Sequence, residues 1–301
     1  MSLSVTSGDM RRTWSVLSVY GSSLCMQFEY AILMPTVWEY VQTLGGDKFA
    51  LGVVLSSFSI ARVFIFFVIG SWMDLRGFRE PYLFSFVCGI LGSFLYGFAG
   101  FAKALWVLVL ARIILGSGAA NASLNEAFIS KVYSGAERTK HLVLFDGTQI
   151  LGIVAGPGLN LLFKGIRFQC GFLEFNELTA PGYFMTLMSM ISFALVFLFV
   201  EEPEDYERLS QKDTMKEQLV SISESSQQTE TPQRFISVFF SVLCRNAAVL
   251  VILIKFTIGL TVTVLETGLT PITKTEFHWG SFENSLAFAA LGGVRILSDV
   301  F

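Results

Sequence analysis

Charged residues are scarce in this chain of 301 residues. They make up 15% of it, whereas soluble domains contain about a quarter. Hydrophobic residues account for 53%, thirty residues are phenylalanine, and the mean hydropathy is +0.60. This composition excludes an ordinary soluble domain and predicts a membrane protein.

Several common sequence patterns are also missing. The four cysteines, Cys25, Cys88, Cys170 and Cys244, form no CxxC pair, so neither a zinc site nor a redox motif is indicated. No basic cluster with interleaved aromatic residues favours nucleic acid. No cleavable signal-peptide pattern is found at the start of the chain. No nucleophile, metal-ligand set or phosphate loop favours an enzyme, and we expect no cofactor.

Most of the sequence consists of long apolar segments. Each is long enough to cross a bilayer, because a crossing takes about 20 residues. The fold class is therefore all-α, a multipass membrane protein. We predict spans at about 14–38, 49–72, 81–101, 104–130, 140–163, 181–200, 246–269 and 282–298. The polar interval 201–245, rich in Ser, Gln and Glu, is predicted to be a disordered cytoplasmic linker. It divides a six-helix first half, 1–200, from a partial second half, 246–301.

The lysine and arginine distribution predicts the orientation, because cytoplasmic loops carry an excess of both. If the N-terminus lies in the cytoplasm, most lysines and arginines of the loops also lie on the cytoplasmic side. Those on the inside are Arg11, Arg12, Arg76, Arg79, Lys131, Arg138, Lys140, Arg208, Lys212, Lys216, Arg234 and Arg245. Those on the opposite side are Lys48, Lys103, Lys164, Arg167 and Lys274.

A short polar turn joins the second and third spans. It contains Gly70, Asp74, Gly77 and Arg79 at relative positions one, five, eight and ten. Glycines allow tight turns, and the charges can pair with helix ends. This pattern resembles the loop signature of the major facilitator superfamily, although Phe78 stands where that signature usually has a basic residue. In that family the loop is cytoplasmic and joins transmembrane helices two and three.

Two further patterns resemble the same family at the matching helices. Helix four carries Arg112 followed by the small residues 116–120, which allow close helix packing. Helix five carries Gly152, Gly156 and Pro157, a GxxxGP pattern typical of exchangers in the family. The proline removes one backbone hydrogen bond, and the glycine allows bending or tight packing.

A narrower branch of the family is indicated by segments 175–183 and 265–271. They resemble endolysosomal proteins of animals and the SPX-domain vacuolar phosphate transporters of plants. The chain has no SPX domain. Glu126 stands where these relatives tend to carry arginine. This charge reversal weakens the inference that the chain shares their selectivity for anions. The family fold has twelve helices, so we interpret the chain as a fragment, a truncated isoform or an incomplete gene model.

Charged residues inside the spans are candidates for a substrate or proton pathway. The resemblance implies a central site lined by helices one, four and seven. We expect Glu29, Arg112 and Lys255 there, with a carboxylate carrying protons and the cations neutralising an anion. Arg112 and Glu126 should share one helix face, as should Lys255 and Glu266. The candidates are Glu29, Arg62, Arg112, Glu126, Lys255 and Glu266, together with Arg295 on the eighth span.

Other positions are predicted to serve conformational change or sorting. The residues assigned to conformational change are Gly70, Asp74, Gly77, Arg79, Gly152, Gly156 and Pro157. Among them, Asp74 and Arg79 would hold the cytoplasmic side closed by pairing with helix ends. Tyr206 and Leu209 fit the YxxΦ sorting signal for endosomes and lysosomes, which implies a sorting adaptor as partner.

The predicted function is secondary transport of a small solute or anion by alternating access, with or without proton coupling. The membrane would be endolysosomal or vacuolar. Two alternatives stay open: a transport-incompetent product that binds and regulates a full-length relative, and a channel-like anion conductor. A seven-helix receptor fits the helix count and the three signatures poorly.

Overall fold

The fold of the first 200 residues is built almost entirely from α-helices. A computed structural model describes residues 7–119, 121–163, 165, 167–170, 173–202, 253, 257, 264, 268–280, 282–288 and 290. Its helices are α1 (Ser7–Leu33), α2 (Val37–Thr43), α3 (Lys48–Arg76), α4 (Arg79–Ala102), α5 (Leu105–Gly118), α6 (Asn121–Val132), α7 (Gly135–Asn160) and α8 (Ala180–Phe199). A 3₁₀ turn, Leu161–Phe163, follows α7.

Five segments of the described chain are long and apolar enough to cross a membrane. They are Lys48–Arg76, Arg79–Ala102, Leu105–Val132, Gly135–Phe163 and Ala180–Phe199. They correspond to the second through sixth predicted spans. The all-α multipass fold class is thereby confirmed.

Helix α1 corresponds to the first predicted span but does not belong to this set of five. It has 27 residues, about 40 Å of helix. Its side chains are more polar, however, and four of its serines are buried: Ser15, Ser18, Ser22 and Ser23. These serines face other helices, so the low apolarity reflects the position of α1 inside the bundle.

The sequence marks several helix ends clearly. Asp47 caps α3 because its Oδ1 accepts a hydrogen bond from the Ala50 backbone N–H at 2.8 Å. Asn176 forms a turn directly before α8, where its Oδ1 accepts from the backbone N–H groups of Leu178 and Thr179 at 2.9 Å. These polar residues stand directly before apolar runs, so the local chemistry fixes where each helix begins.

The predicted fourth span corresponds to α5 and α6, which together make up the membrane-crossing segment Leu105–Val132. Arg112 on α5 is 2% exposed, whereas Glu126 on α6 is exposed. That the two residues share one helix face stays a prediction, because residue 120, between α5 and α6, lies outside the described residues.

A short antiparallel hairpin lies between α7 and α8 and was not predicted. Strand β1 (Phe168–Cys170) pairs with β2 (Leu173–Phe175), with Phe168 opposite Phe175. We call the bundle end that holds this hairpin the hairpin end. The opposite end, which holds the Gly70–Arg79 turn, is the turn end.

Two hydrophobic clusters fill the helix bundle, one toward each end. The cluster at the hairpin end includes Leu33, Trp38, Tyr40, Tyr96 and Leu108. The cluster at the turn end includes Val16, Phe78, Tyr82, Phe128 and Val196. Within the bundle α1 packs on α7 and α8, while α4 packs on α5 and α8.

The chain divides into two compact units. One comprises Met1–Ser210 and Thr270–Phe301, and the other comprises Gln211–Leu269. In the first unit, residues 270–276 and 282–288 are helical. In the second, the described residues 253, 257, 264, 268 and 269 are helical, and the Thr257 hydroxyl donates to the Leu253 carbonyl at 2.8 Å.

Candidate functional site

Arg112 is the largest fully buried side chain in the described structure. Its guanidinium carbon lies 4.9 Å from the centroid of the Phe58 ring on α3. A cation over an aromatic face is stabilised by the ring quadrupole, most strongly where water is excluded. An arginine inside a membrane costs about 2.5–3.5 kcal/mol on insertion scales, so a buried one indicates a specific environment.

Glu29 lies where α1, α4 and α8 meet. Its Oε1 accepts a hydrogen bond from the Ser189 hydroxyl on α8 at 2.7 Å. Gly89 on α4 makes room there, because a Cβ at that position would lie 2.9 Å from Ser189 Oγ. One turn of α4 to either side, the buried hydroxyls of Ser85 and Ser93 lack hydrogen-bond partners among the described residues. Glu29 therefore belongs to a polar region inside the bundle.

The remaining pathway candidates are spread over the chain. Arg62 on α3 and Glu126 on α6 are exposed. Lys255, Glu266 and Arg295 lie outside the described residues, as do the sorting candidates Tyr206 and Leu209. The structure thus leaves Arg62 and Glu126 exposed, whereas Glu29 is half-buried and Arg112 is buried.

The Glu202 carboxylate, which was not predicted as a functional group from the sequence, binds the backbone at the turn end. Glu202 accepts hydrogen bonds from the backbone N–H groups of Phe78 at 3.0 Å and Arg79 at 2.9 Å. These N–H groups are at the start of α4, where a negative charge also complements the helix dipole. Gly77 has φ +79°, and a Cβ on it would lie 2.6 Å from the Glu202 carboxylate. The glycine is therefore required both by the backbone and by this contact.

The other residues of the turn lie on its surface. Asp74 is exposed. Arg79 contacts the last turn of α8, donating to the Phe197 carbonyl at 3.4 Å with its guanidinium 5.3 Å from the Phe197 ring. Nothing occupies the space within 4 Å of a Cβ built on Gly70. Arg79 thus meets a helix end, the kind of contact predicted for this motif.

The start of α1 is bonded to the end of α8 at the same place. Arg11 pairs with Glu201 at 3.0 Å, and the Ser15 hydroxyl donates to the Phe199 carbonyl. Glu201 and Glu202, assigned from the sequence to the linker, therefore contact the bundle. The only sequence signal for them was two consecutive glutamates directly after an apolar span.

The glycines of the fifth span lie in the contact between α7 and α1. A Cβ on Gly152 would lie 2.5 Å from the Gln27 Cβ, and one on Gly156 would lie 2.5 Å from the Ala31 Cβ. Pro157 is buried within α7, close to its end. The GxxxGP pattern therefore brings two backbones close together, which larger residues would prevent.

The chain matches a known family over nearly its whole length. The family described as Major Facilitator Superfamily matches residues 19–300. The chain belongs to the major facilitator superfamily. Among the described residues, no group of three or more His, Cys, Asp or Glu side chains could hold a metal ion.

Similar relatives come from animals and plants. The chain is 25% identical to Major facilitator superfamily domain-containing protein 8 of Xenopus laevis over 294 residues, covering 93% of the chain and 56% of the relative. It is 26% identical to an SPX domain-containing membrane protein of Arabidopsis thaliana over 310 residues, covering 92% of the chain and 43% of the relative. The chain thus spans about half the length of these relatives.

Two solved structures share the fold. A bacterial homolog of the human lysosomal transporter Spinster, inward-facing and unoccupied, matches with a TM-score of 0.66 and 16% identity, over 95% of this chain and 60% of that one. A D-xylose–proton symporter matches with a TM-score of 0.67 and 14% identity, over 95% and 66%. At these identities the likeness concerns the fold.

Proposed function

We propose that this chain supplies the first half and the start of the second half of a secondary transporter that moves a small solute or anion by alternating access. The observation that carries the proposal is a buried arginine and a serine-bonded glutamate inside a predominantly apolar helix bundle of this family. Charged groups cost free energy in a membrane and are kept there for function by default.

Within this proposal, Glu29 is the proton carrier and Arg112 attracts the anionic part of the solute. Ser189 donates to the ionised form of Glu29, and the serines above and below it offer polar groups for water. Lys255 and Glu266 would complete the pathway from the seventh helix. Arg62 and Glu126 are assigned lesser roles because their side chains are exposed in the described structure.

The proposed orientation puts the turn end in the cytoplasm, because most lysines and arginines of the loops lie on that side. The membrane is proposed to be endolysosomal or vacuolar, as the resemblance to its branch of the family implies. Tyr206 and Leu209 would then bind a sorting adaptor.

The test is solute-driven proton movement in proteoliposomes that contain the full-length protein carrying this chain. Inorganic phosphate, chloride and D-xylose are added in turn while a trapped dye reports the internal pH. We expect one solute to change the internal pH, and Glu29→Gln to abolish that change while solute exchange continues. Glu137→Gln, an exposed glutamate at the start of α7, is the control.

Each result has a separate meaning. Solute movement no faster than in empty liposomes, for every solute, would contradict transport of these solute classes. Proton coupling that survives Glu29→Gln would remove the role of that residue alone. For the turn, Asp74→Asn is expected to stop transport while solute binding persists, and lost binding would contradict a conformational role.

A further inference from the structure

Two glutamines meet in the middle of the membrane-crossing part of the bundle. Gln27 on α1 donates from its Nε2 to the Oε1 of Gln149 on α7, at 2.6 Å. Gln149 lies at the midpoint of the crossing segment Gly135–Phe163, with about 21 Å of helix on either side. Secondary transporters hold their solutes near this depth. The pair therefore lies where a solute would be bound.

The hydrogen bond between the two amides uses only part of their capacity. A glutamine side chain has two donor hydrogens and an acceptor oxygen with two lone pairs. In the described part of the chain, no protein group bonds to the other two amide atoms, Gln27 Oε1 and Gln149 Nε2. Both side chains are half-buried, and neither of these atoms is enclosed by protein. An accessible acceptor therefore lies close to an accessible donor.

The amide pair lies on a different side of α1 from Glu29. Gln27 and Glu29 are two residues apart, which on an α-helix is a rotation of about 200°. In agreement with this rotation, Gln27 bonds to α7, whereas Glu29 bonds to Ser189 on α8. A group bound at the amides would therefore not compete with Ser189 for the proposed proton carrier.

Aromatic rings connect the amide pair to Arg112. Tyr30 follows Gln27 by three residues, so the two are neighbours on the surface of α1. The Tyr30 and Phe58 ring centroids are 6.0 Å apart, and the Arg112 guanidinium carbon lies 4.9 Å from the Phe58 centroid. The amides, two rings and a cation therefore form one row across α7, α1, α3 and α5. This row suits a solute with a neutral polar part and an anionic part.

The chemistry of the amides selects among solutes. One hydroxyl group can donate to Gln27 Oε1 and accept from Gln149 Nε2, because a hydroxyl is both a donor and an acceptor. Chloride has no hydrogen to donate and could use only the amide donor. A hydrocarbon chain would leave both amide atoms without a partner away from water, which is unfavourable. A hydroxylated organic anion would use both the amides and Arg112.

We propose that Gln27 and Gln149 form a subsite for a hydroxyl group of the solute, and that the solute is a small hydroxylated organic anion. This inference rests on the proposed transport function, because it names the class of solute that would be moved. The other role open to the pair is only to join α1 to α7, as polar side chains do between membrane helices. The two roles predict different results when both amides are removed.

The experiment is calorimetric titration of the full-length protein in phosphatidylcholine nanodiscs, with empty nanodiscs as the blank. The probes are D-gluconate, D-glucitol and hexanoate. All are six-carbon chains, with hydroxyls and a carboxylate, with hydroxyls alone, and with a carboxylate alone. We expect D-gluconate to bind about tenfold more tightly than hexanoate, because its hydroxyl adds two hydrogen bonds, and D-glucitol to bind more weakly than D-gluconate. This series needs no variant, so it remains decisive if a variant fails to fold.

The double variant Gln27→Leu/Gln149→Leu separates the two roles of the pair. Replacing both partners of a hydrogen bond by apolar groups of similar shape is nearly neutral for stability, so thermal unfolding should change little. We expect D-gluconate binding to weaken about tenfold, to the level of hexanoate, while hexanoate binding stays unchanged. Gln42→Leu is the matched control, since Gln42 is an exposed glutamine of α2 at the hairpin end.

Four results would overturn the proposal. D-gluconate that binds no more tightly than hexanoate would exclude a hydroxyl subsite. A double variant that binds D-gluconate as the wild type does would leave the pair only its role in joining α1 to α7. An equal loss for both acids, or a loss in Gln42→Leu, would indicate a general effect on the fold. Binding as expected without any transport in proteoliposomes would contradict the proposed function and support the subsite.

Discussion

The two ends of the helix bundle are held together in different ways. At the turn end, the contacts found among the described residues lie within positions 7–202, where carboxylates accept from backbone N–H groups and pair with an arginine. At the hairpin end, residues 270–285 contact the bundle. Thr270 donates to the Met34 carbonyl at 3.4 Å, Lys274 pairs with Glu39, and Asn160 meets Ser285.

This difference suggests where conformational change is easiest. The described turn-end contacts join the start of α1 and the Gly70–Arg79 turn to the last residues of α8 and to Glu201 and Glu202 directly after it. The hairpin-end contacts join the first half to the start of the second through long hydrogen bonds and one partly exposed ion pair. In the proposed transporter, the hairpin-end contacts are the ones that must break when that side opens.

The largest expected effect comes from Gly77→Ala. The backbone has φ +79°, and the new Cβ would lie 2.6 Å from the Glu202 carboxylate. We expect a loss of about 3 kcal/mol of unfolding free energy, the sum of backbone strain and displacement of the cap. Thermal unfolding of the purified protein measures it.

Gly45→Ala at the hairpin end is the matched control for this substitution. Gly45 also has φ +79°, but no atom of the part of the chain that the structure describes lies within 4 Å of the place that its Cβ would take. We expect a loss of about 1–2 kcal/mol from the backbone alone. Equal losses for the two variants would mean that the Glu202 contact adds nothing at the turn end.

A smaller effect is expected from Gly156→Ala in the contact between α7 and α1. Its Cβ would lie 2.5 Å from the Ala31 Cβ, and overpacking of this kind costs about 1–3 kcal/mol. A Cβ on Gly158 of the same helix would meet no atom of the described residues within 4 Å, so Gly158→Ala should be neutral or slightly stabilising. Thermal unfolding compares them, and an equal response would argue against close packing at Gly156.

Removal of either helix cap should cost about 1 kcal/mol of unfolding free energy, but the two removals should affect different parts of the chain. Glu202→Ala removes a cap supplied from 124 residues away, whereas Asp47→Ala removes the local cap of α3. We therefore expect Glu202→Ala, and not Asp47→Ala, to increase hydrogen exchange at the end of α8. Unchanged exchange there would show that Glu202 does not hold α8 to the turn.

The smallest effects should come from the exposed ion pairs. Double-mutant cycles on Arg11–Glu201 and Lys274–Glu39 are each expected to give less than about 1 kcal/mol. The hairpin-end pair should give the larger value, because its side chains are 35% and 21% exposed against 62% and 34% at the turn end. A larger coupling energy for Arg11–Glu201 would mean that its shorter N–O distance, 3.0 Å against 3.4 Å for Lys274–Glu39, outweighs its greater exposure.

Much of the fold was predictable from the residues themselves. The apolar runs predicted the spans, and Gly77 and the residues before α4 predicted the tight turn. The hairpin at 168–175 was missed because its strands have three residues each, too few for an alternating pattern.

The candidate site was predictable in part. Glu29 and Arg112 were selected because charge is rare inside apolar spans, a property that each stretch of sequence shows alone. Ser189 and Glu202 gave no comparable signal, since serines and a glutamate after a span are common. Their importance arises only from the partner that each one meets.

The sequence by itself determined that this is a helical membrane protein of a known family, because hydrophobicity and turn chemistry act over a few residues. Only the tertiary structure decided that Glu29 bonds to Ser189, 160 positions away, and that Glu202 caps α4. It also joined Gln27 to Gln149. These pairings depend on which helix faces meet, and that is settled by the packing of the whole bundle.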